Sequence, residues 1–128
     1  MPGQHSLERF VAMVEANEHA AAAEAFYADD VAIQENQQPP RHGRAAQVAL
    51  EVGVQQRASA IRSFCQRPIV VQGDHVVIRW RFEFDWKDGS RTVMEELAWQ
   101  RWQGDRIVEE TFFYDPAQRV PKRPDQAP

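Results

Sequence analysis

The stretch VVIRWRFEFDW, Val76 to Trp86, decides the fold. Val76, Ile78, Trp80, Phe82, Phe84 and Trp86 form one apolar set, with Val77, Arg79, Arg81, Glu83 and Asp85 between them. A period of two held over eleven residues is the pattern of a half-buried strand. Working outward, Gly73-Asp74, Asp88-Gly89 and Gly104-Asp105 punctuate the chain from Ile61 to Asp115 and divide it into four long strands. Glycine supplies the positive φ that tight hairpin turns require. Asp88-Gly89, inside Lys87-Asp88-Gly89-Ser90, is the strongest of the three signals. The prediction is an antiparallel meander with one apolar face.

That face must be covered, and the N-terminal part of the chain supplies the cover. Residues 1–5 read as a flexible lead. Ser6 is a candidate N-cap, and Leu7, Phe10, Val11 and Val14 follow at helical spacing, giving a first helix that ends near Asn17. An alanine-rich second helix runs from about Glu18 to Tyr27. Val31 to Glu35 alternates as a short strand, and Asn36 to Gly43, with Pro39-Pro40, is loop. A third helix begins near Arg44, with Ala45, Val48, Ala49 and Val52 on one face. Pro68 restricts the first meander strand to an edge or a bulge. Beyond Asp115 four prolines fall among few apolar residues, so residues 117–128 read as a mobile tail or as an arm laid across a partner subunit. The expected fold is α+β, with three N-terminal helices packed on a curved, mainly antiparallel sheet. The space between them either fills with side chains or holds a ligand.

Composition narrows the function. The 128 residues suit a single domain; charged residues make up 27% and the net charge is −4. No basic cluster suggests nucleic acid, and no apolar run is long enough for a membrane span. The single cysteine, Cys65, reads as a small buried residue in a reducing cytoplasm. No secretory signal is evident. The histidines His5, His19, His42 and His75 match no metal spacing, and no glycine-rich phosphate loop implies a nucleotide. The expectation is therefore no metal and no cofactor.

Tyr27-Ala28-Asp29-Asp30-Val31-Ala32-Ile33-Gln34-Glu35-Asn36, followed by Pro39-Pro40-Arg41 and Gly43-Arg44, resembles the entry motif of the nuclear transport factor 2-like superfamily. Gly104 to Glu110 with Phe113-Tyr114-Asp115-Pro116 resembles the closing strand of its SnoaL-like branch. The resemblance spans residues 6–116. It implies a cystatin-like cone, a small hydrophobic ligand inside it, and a homodimer formed through the outer sheet face. That face would carry Arg79, Arg81 and Glu83, with Leu97, Trp99, Thr111 and Phe113. The fold hosts cyclases, isomerases and epoxide hydrolases as well as non-catalytic proteins, so activity must be argued from the site.

Three carboxylates are candidates for acid/base chemistry. Alignment with the ketosteroid isomerases of this superfamily places their general base at Glu35; the structural alternative is pairing with Arg41 or Arg44. The two oxyanion donors of those isomerases fall near Ala12 and at Ala98, which cannot donate, so that particular reaction is not expected. The same alignment turns Met94, Glu96, Ala98, Gln100 and Trp102 inward, along with Glu110, Phe112 and Tyr114. Glu96 and Glu110 in one apolar space would share protons. Turn chemistry leaves the register open. A two-residue turn at Asp88-Gly89 pairs Trp80 with Leu97 and turns Glu95 inward, whereas one added bulge turns Glu96 inward; the bulged register is favoured. Trp80, Phe82, Met94, Trp102, Phe112 and Tyr114 are the candidate ligand contacts, and His42 could reach the mouth.

Overall fold

The structure, a computed structural model, is described here for residues 1–124. Helices α1 (Gln4–Glu15), α2 (His19–Phe26) and α3 (Arg44–Arg57) cover one face of a six-stranded sheet. Its strands are β1 (Tyr27–Glu35), β2 (Arg41–His42), β3 (Ala58–Gln72), β4 (His75–Trp86), β5 (Arg91–Gln103) and β6 (Arg106–Phe113). They lie in the order β2-β1-β6-β5-β4-β3. The meander accounts for β3 to β6. The entry strand β1 joins it parallel to β6, which makes the sheet mixed.

The hairpin at Asp88-Gly89 sets the register. Trp86 N donates to Ser90 O at 2.9 Å and Gly89 N donates to Trp86 O at 3.0 Å. Lys87, Asp88 and Gly89 therefore form a three-residue loop, with Gly89 at φ +90. The added residue sits in the turn, and β4 pairs with β5 without a shift: Trp80 lies opposite Glu96 and Phe82 opposite Met94. Met94, Ala98, Gln100 and Trp102 are buried, while Glu95, Leu97 and Trp99 are exposed. The favoured register is the observed one.

The core forms where apolar stripes meet. Leu7, Phe10, Val11 and Val14 of α1 and Ala22, Ala23 and Phe26 of α2 pack on Val76, Ile78, Trp80, Ala98, Trp102 and Ile107. Phe10 and Phe26 meet the Trp102 ring edge-on at 6.0 and 6.1 Å. Burying side chains of this size stabilises the fold by roughly 1.5–3 kcal/mol each.

Several expectations need correction. Helix α1 starts at Gln4 with Gly3 as its N-cap and Pro2 buried, so Ser6 lies within the first turn and the lead is shorter than expected. Strand β1 begins at Tyr27, four residues ahead of the expected Val31. The inward side of α3 is also different. Ala45, Ala49 and Val52 are exposed, Gln47 is buried, and Val48, Glu51 and Val54 are half-buried. Apolar periodicity misleads there because the inner face of α3 is polar. Pro68 lies on edge strand β3, beside a register shift between Gln66 and Val70.

As far as Pro124 the proline-rich segment packs on its own chain. Asp115 caps a short 3-10 turn, Pro116–Arg119, by accepting from Ala117 N at 3.0 Å. Glu95 N donates to Gln118 Oε1 at 3.0 Å, and Arg91 and Lys122 exchange backbone hydrogen bonds of 2.8 Å. The segment is thus a strap held against β5 of its own chain. Residues 125–128 of the expected tail lie outside the described residues.

Candidate functional site

Between the helices and the sheet lies a cavity of about 920 Å³, near the top of the range of roughly 300–1,000 Å³ common for small-molecule sites. Trp80, Phe82, Phe84 and Trp86 line it from β4, Thr92, Met94 and Glu96 from β5, and Glu110 and Phe112 from β6. Its aromatic wall is a ladder: Trp80 stacks on Phe82 at 5.4 Å and Phe84 on Trp86 at 5.2 Å. Phe10 and Val14 close it from α1, His19 from α2, Gln47 and Glu51 from α3, and Arg119 and Pro121 from the strap.

The three candidate carboxylates all line this space, in three different states. Glu35 is fully paired. It accepts from Arg41 Nη1 at 2.5 Å, from the Tyr114 hydroxyl at 2.6 Å and from Arg119 Nη1 at 2.6 Å. Burial alone would raise its pKa, but the Tyr114 hydrogen bond and the two arginines outweigh that and hold it below the ordinary carboxylate value. The pairing alternative therefore describes Glu35, with Arg41 rather than Arg44 as its partner. A carboxylate stabilised in this way is a weak proton acceptor. What it does instead is pin the strap: Arg119 bridges Glu35 and the Tyr114 hydroxyl, the latter at 3.0 Å.

Glu110 is buried and held by neutral donors. The Tyr27 hydroxyl makes a short hydrogen bond to it, and Gln100 Nε2 donates at 2.6 Å. Gln100 is oriented in turn by Trp102 Nε1, which donates to its Oε1 at 2.9 Å. Desolvation pushes the Glu110 pKa up to about 7 against those two hydrogen bonds. Tyr27 is raised as well, by burial first and then by the Glu110 charge.

Glu96 has no hydrogen-bond or ion-pair partner among the described residues. Its pKa is raised to about 8, by desolvation first and then by the charges of Glu110, Glu35 and Glu51. The Glu110 charge is among those that raise Glu96, so near neutral pH the two carboxyls together favour keeping a proton.

Of the expected ligand contacts, Trp80, Phe82, Met94 and Phe112 line the cavity. Trp102 does not; it is wholly buried in the core, where its indole N–H orients Gln100. Tyr114 is spent on Glu35 and Arg119 and is not among the lining side chains. His42 is exposed on the short strand β2, away from the lining set. Ala98 faces inward and is buried, whereas Ala12 is exposed, and the α1 residues that line the cavity are the apolar Phe10 and Val14. Among the described residues no group of His, Cys, Asp or Glu could hold a metal ion, and no helix is long and apolar enough to cross a membrane. Cys65 is half-buried, which raises its thiol pKa. Sequence reasoning missed Tyr27, Gln47, Glu51, His19 and Arg119. Tyr27 sits at a helix–strand junction and Arg119 in a segment that reads as tail, so neither carried a periodic signal.

A curved mixed sheet wrapped on three helices, with acids in an apolar hollow, defines a nuclear transport factor 2-like cone. The family model described as a SnoaL-like domain matches residues 7–110. The chain belongs to that family. Among solved structures, it is similar to a protein from Mesorhizobium loti that carries the description "putative SnoaL-like polyketide cyclase (carbohydrate phosphatase)". The two share 25% identity and a TM-score of 0.70 over 86% of this chain and 97% of that one. An epoxide hydrolase of Mycobacterium tuberculosis is 17% identical with a TM-score of 0.72, covering 89% of this chain and 83% of that one. A protein with a ketosteroid isomerase-like fold from Catenulispora acidiphila, in complex with trimethylamine, is 14% identical with a TM-score of 0.72, covering 90% of this chain and 88% of that one. The last two likenesses concern the fold alone. No curated protein matches the chain.

Proposed function

We propose that this protein is a cofactor-free enzyme that moves a proton on a small, largely apolar molecule held against Trp80, Phe82, Met94 and Phe112. The observation that carries the reading is Glu96: a cavity-lining carboxyl with no partner among the described residues, whose pKa is raised to about 8. Such a group is protonated at neutral pH and can donate its O–H to a ligand oxygen. Glu110 is the complementary acceptor, because the Tyr27 hydroxyl and the Gln100 amide both donate to its carboxyl group and stabilise the ionised form. Paired groups of unequal acidity are how one site supplies both acid and base. The M. tuberculosis relative is described as an epoxide hydrolase, and opening an epoxide is assisted by an acid at the ring oxygen. The apolar residues at the isomerase donor positions argue against steroid isomerisation.

The test is a thermal-shift screen of apolar metabolites, followed by turnover assays of the hits on wild type and Glu96→Gln. The expected result is that both bind and only wild type turns over, with the rate falling above about pH 8. Full turnover by Glu96→Gln would remove Glu96 from the chemistry. We further propose a cytoplasmic homodimer joined through the outer sheet face, where exposed Leu97, Trp99 and Phe113 lie beside Arg79 and Arg81 in a mixed apolar and charged surface. Leu97 and Phe113 are cross-strand partners there.

A further inference from the structure

A string of polar side chains that the reaction above does not use begins at the Glu35 partner Arg41 and passes along the inner side of α3. It runs from Arg41 through Gln47, Glu51, His19 and Ser63 to Asn17. Arg41 Nε and Nη2 donate to Gln47 Oε1 at 3.1 and 2.9 Å, and Gln47 Nε2 donates to Glu51 Oε1 at 2.8 Å. At the far end the Ser63 hydroxyl donates to Asn17 Oδ1 at 2.8 Å, while Ser63 Oγ lies 2.8 Å from His19 Nε2. A hydroxyl has one proton, and this one is committed to Asn17. Ser63 Oγ must therefore accept from the ring, so Nε2 carries the hydrogen.

In the neutral ring that assignment leaves His19 Nδ1 as a lone-pair acceptor, 3.7 Å from Glu51 Oε2. The two acceptors stand too far apart to share a hydrogen bond directly, and one atom with two N–H or O–H donors, placed to the cavity side of the pair, reaches both at about 2.8 Å. The His19 side chain is only 10% exposed, and both residues line the cavity. The Phe82 ring stands 5.2 Å from the imidazole, so aromatic carbon flanks the gap. A protonated primary amine fits this demand best. It has three donors, and Glu51 attracts its charge.

We propose that His19 and Glu51 form a subsite for a primary amine on the molecule that the cavity binds. This names a substrate class, a primary amine on an apolar body, and it rests on the reading of the cavity as a ligand site. The test titrates wild type, His19→Gln and Glu51→Gln with 1-naphthylmethylamine and with 1-methylnaphthalene, following tryptophan fluorescence. Wild type should prefer the amine by about tenfold or more, the size expected for one hydrogen bond to a charged partner. In either variant the preference should fall to near one. Equal binding of both probes by wild type would overturn the amine subsite while leaving the cavity reading intact; binding of neither would overturn both. The imidazole ¹⁵N shifts of the free protein give a second check that does not depend on how well the variants fold. A His19 ring protonated on both nitrogens at neutral pH would mean a plain ion pair with Glu51 and would overturn the proposal.

Discussion

Replacing Glu96 with glutamine should stabilise the protein, and should do so increasingly as the pH rises. In the folded state the Glu96 carboxyl keeps its proton up to about pH 8, against an ordinary value of 4.5. Between those values the unfolded chain holds fewer protons than the folded one, so stability falls with rising pH, by about 1.4 kcal/mol per pH unit. The whole window would amount to about 5 kcal/mol. Glu96 is half-buried rather than sealed, so solvent screening reduces the expected effect to on the order of 2 kcal/mol. Glutamine cannot ionise. The two proteins should therefore be equally stable near pH 4.5 and differ by that amount near pH 8. Glu110, raised to about 7, destabilises both proteins in the same direction and leaves a residual slope. Glu35, Glu83 and Asp85 are held low, so their contributions are present above their ordinary values and are lost only in stronger acid, outside this window. Urea denaturation followed by tryptophan fluorescence, from about pH 4.5 to about pH 8, measures the difference. Parallel curves for the two proteins at every pH, or a variant less stable at pH 8, would refute a desolvated Glu96.

Three further outcomes follow from named contacts. Tyr27→Phe removes the hydroxyl that donates to Glu110; it should cost about 1–3 kcal/mol and raise the Glu110 titration further, read by ¹³C NMR of the labelled carboxyl. Gly89→Ala places a side chain at φ +90 in open space, so only backbone strain acts, and thermal unfolding should show a loss of roughly 1 kcal/mol. Trp99→Asp puts a charge on the exposed outer face and should shift light scattering to the monomer mass while leaving the circular dichroism unchanged.

The meander was legible because its chemistry is local. Alternation from Val76 to Trp86 and glycine at each turn are properties of short windows, and β4, β5 and β6 follow them. The register was legible only as a choice. A difference of one residue in the loop at Lys87–Gly89 decides whether Met94, Glu96, Ala98 and Gln100 or Glu95, Leu97 and Trp99 face inward. What could not be read were the contacts made at long range in sequence. Tyr27 and Glu110 are 83 positions apart, and Arg119 and Glu35 are 84 apart. The inward face of α3 escaped for a related reason. Gln47 is buried because Arg41 and Glu51 satisfy its amide, and such a partner set leaves no apolar stripe to detect.

The acids of the cavity differ in what has been done for each of them, and that difference is the argument for function. A buried carboxylate is costly unless it is paired or hydrogen-bonded. Glu35 has two arginines and a tyrosine, and it anchors the strap. Glu110 has a tyrosine and an amide, enough to hold it in either protonation state. Glu96 has no hydrogen bond or ion pair among the described residues, only the more distant charge of Arg119, although a phenylalanine or leucine at that position would fill the same wall at no electrostatic cost. An aromatic ladder with a purely structural task would not need an acid facing its hollow. The group left without a partner by its own chain is the one placed to find a partner in whatever enters the cavity.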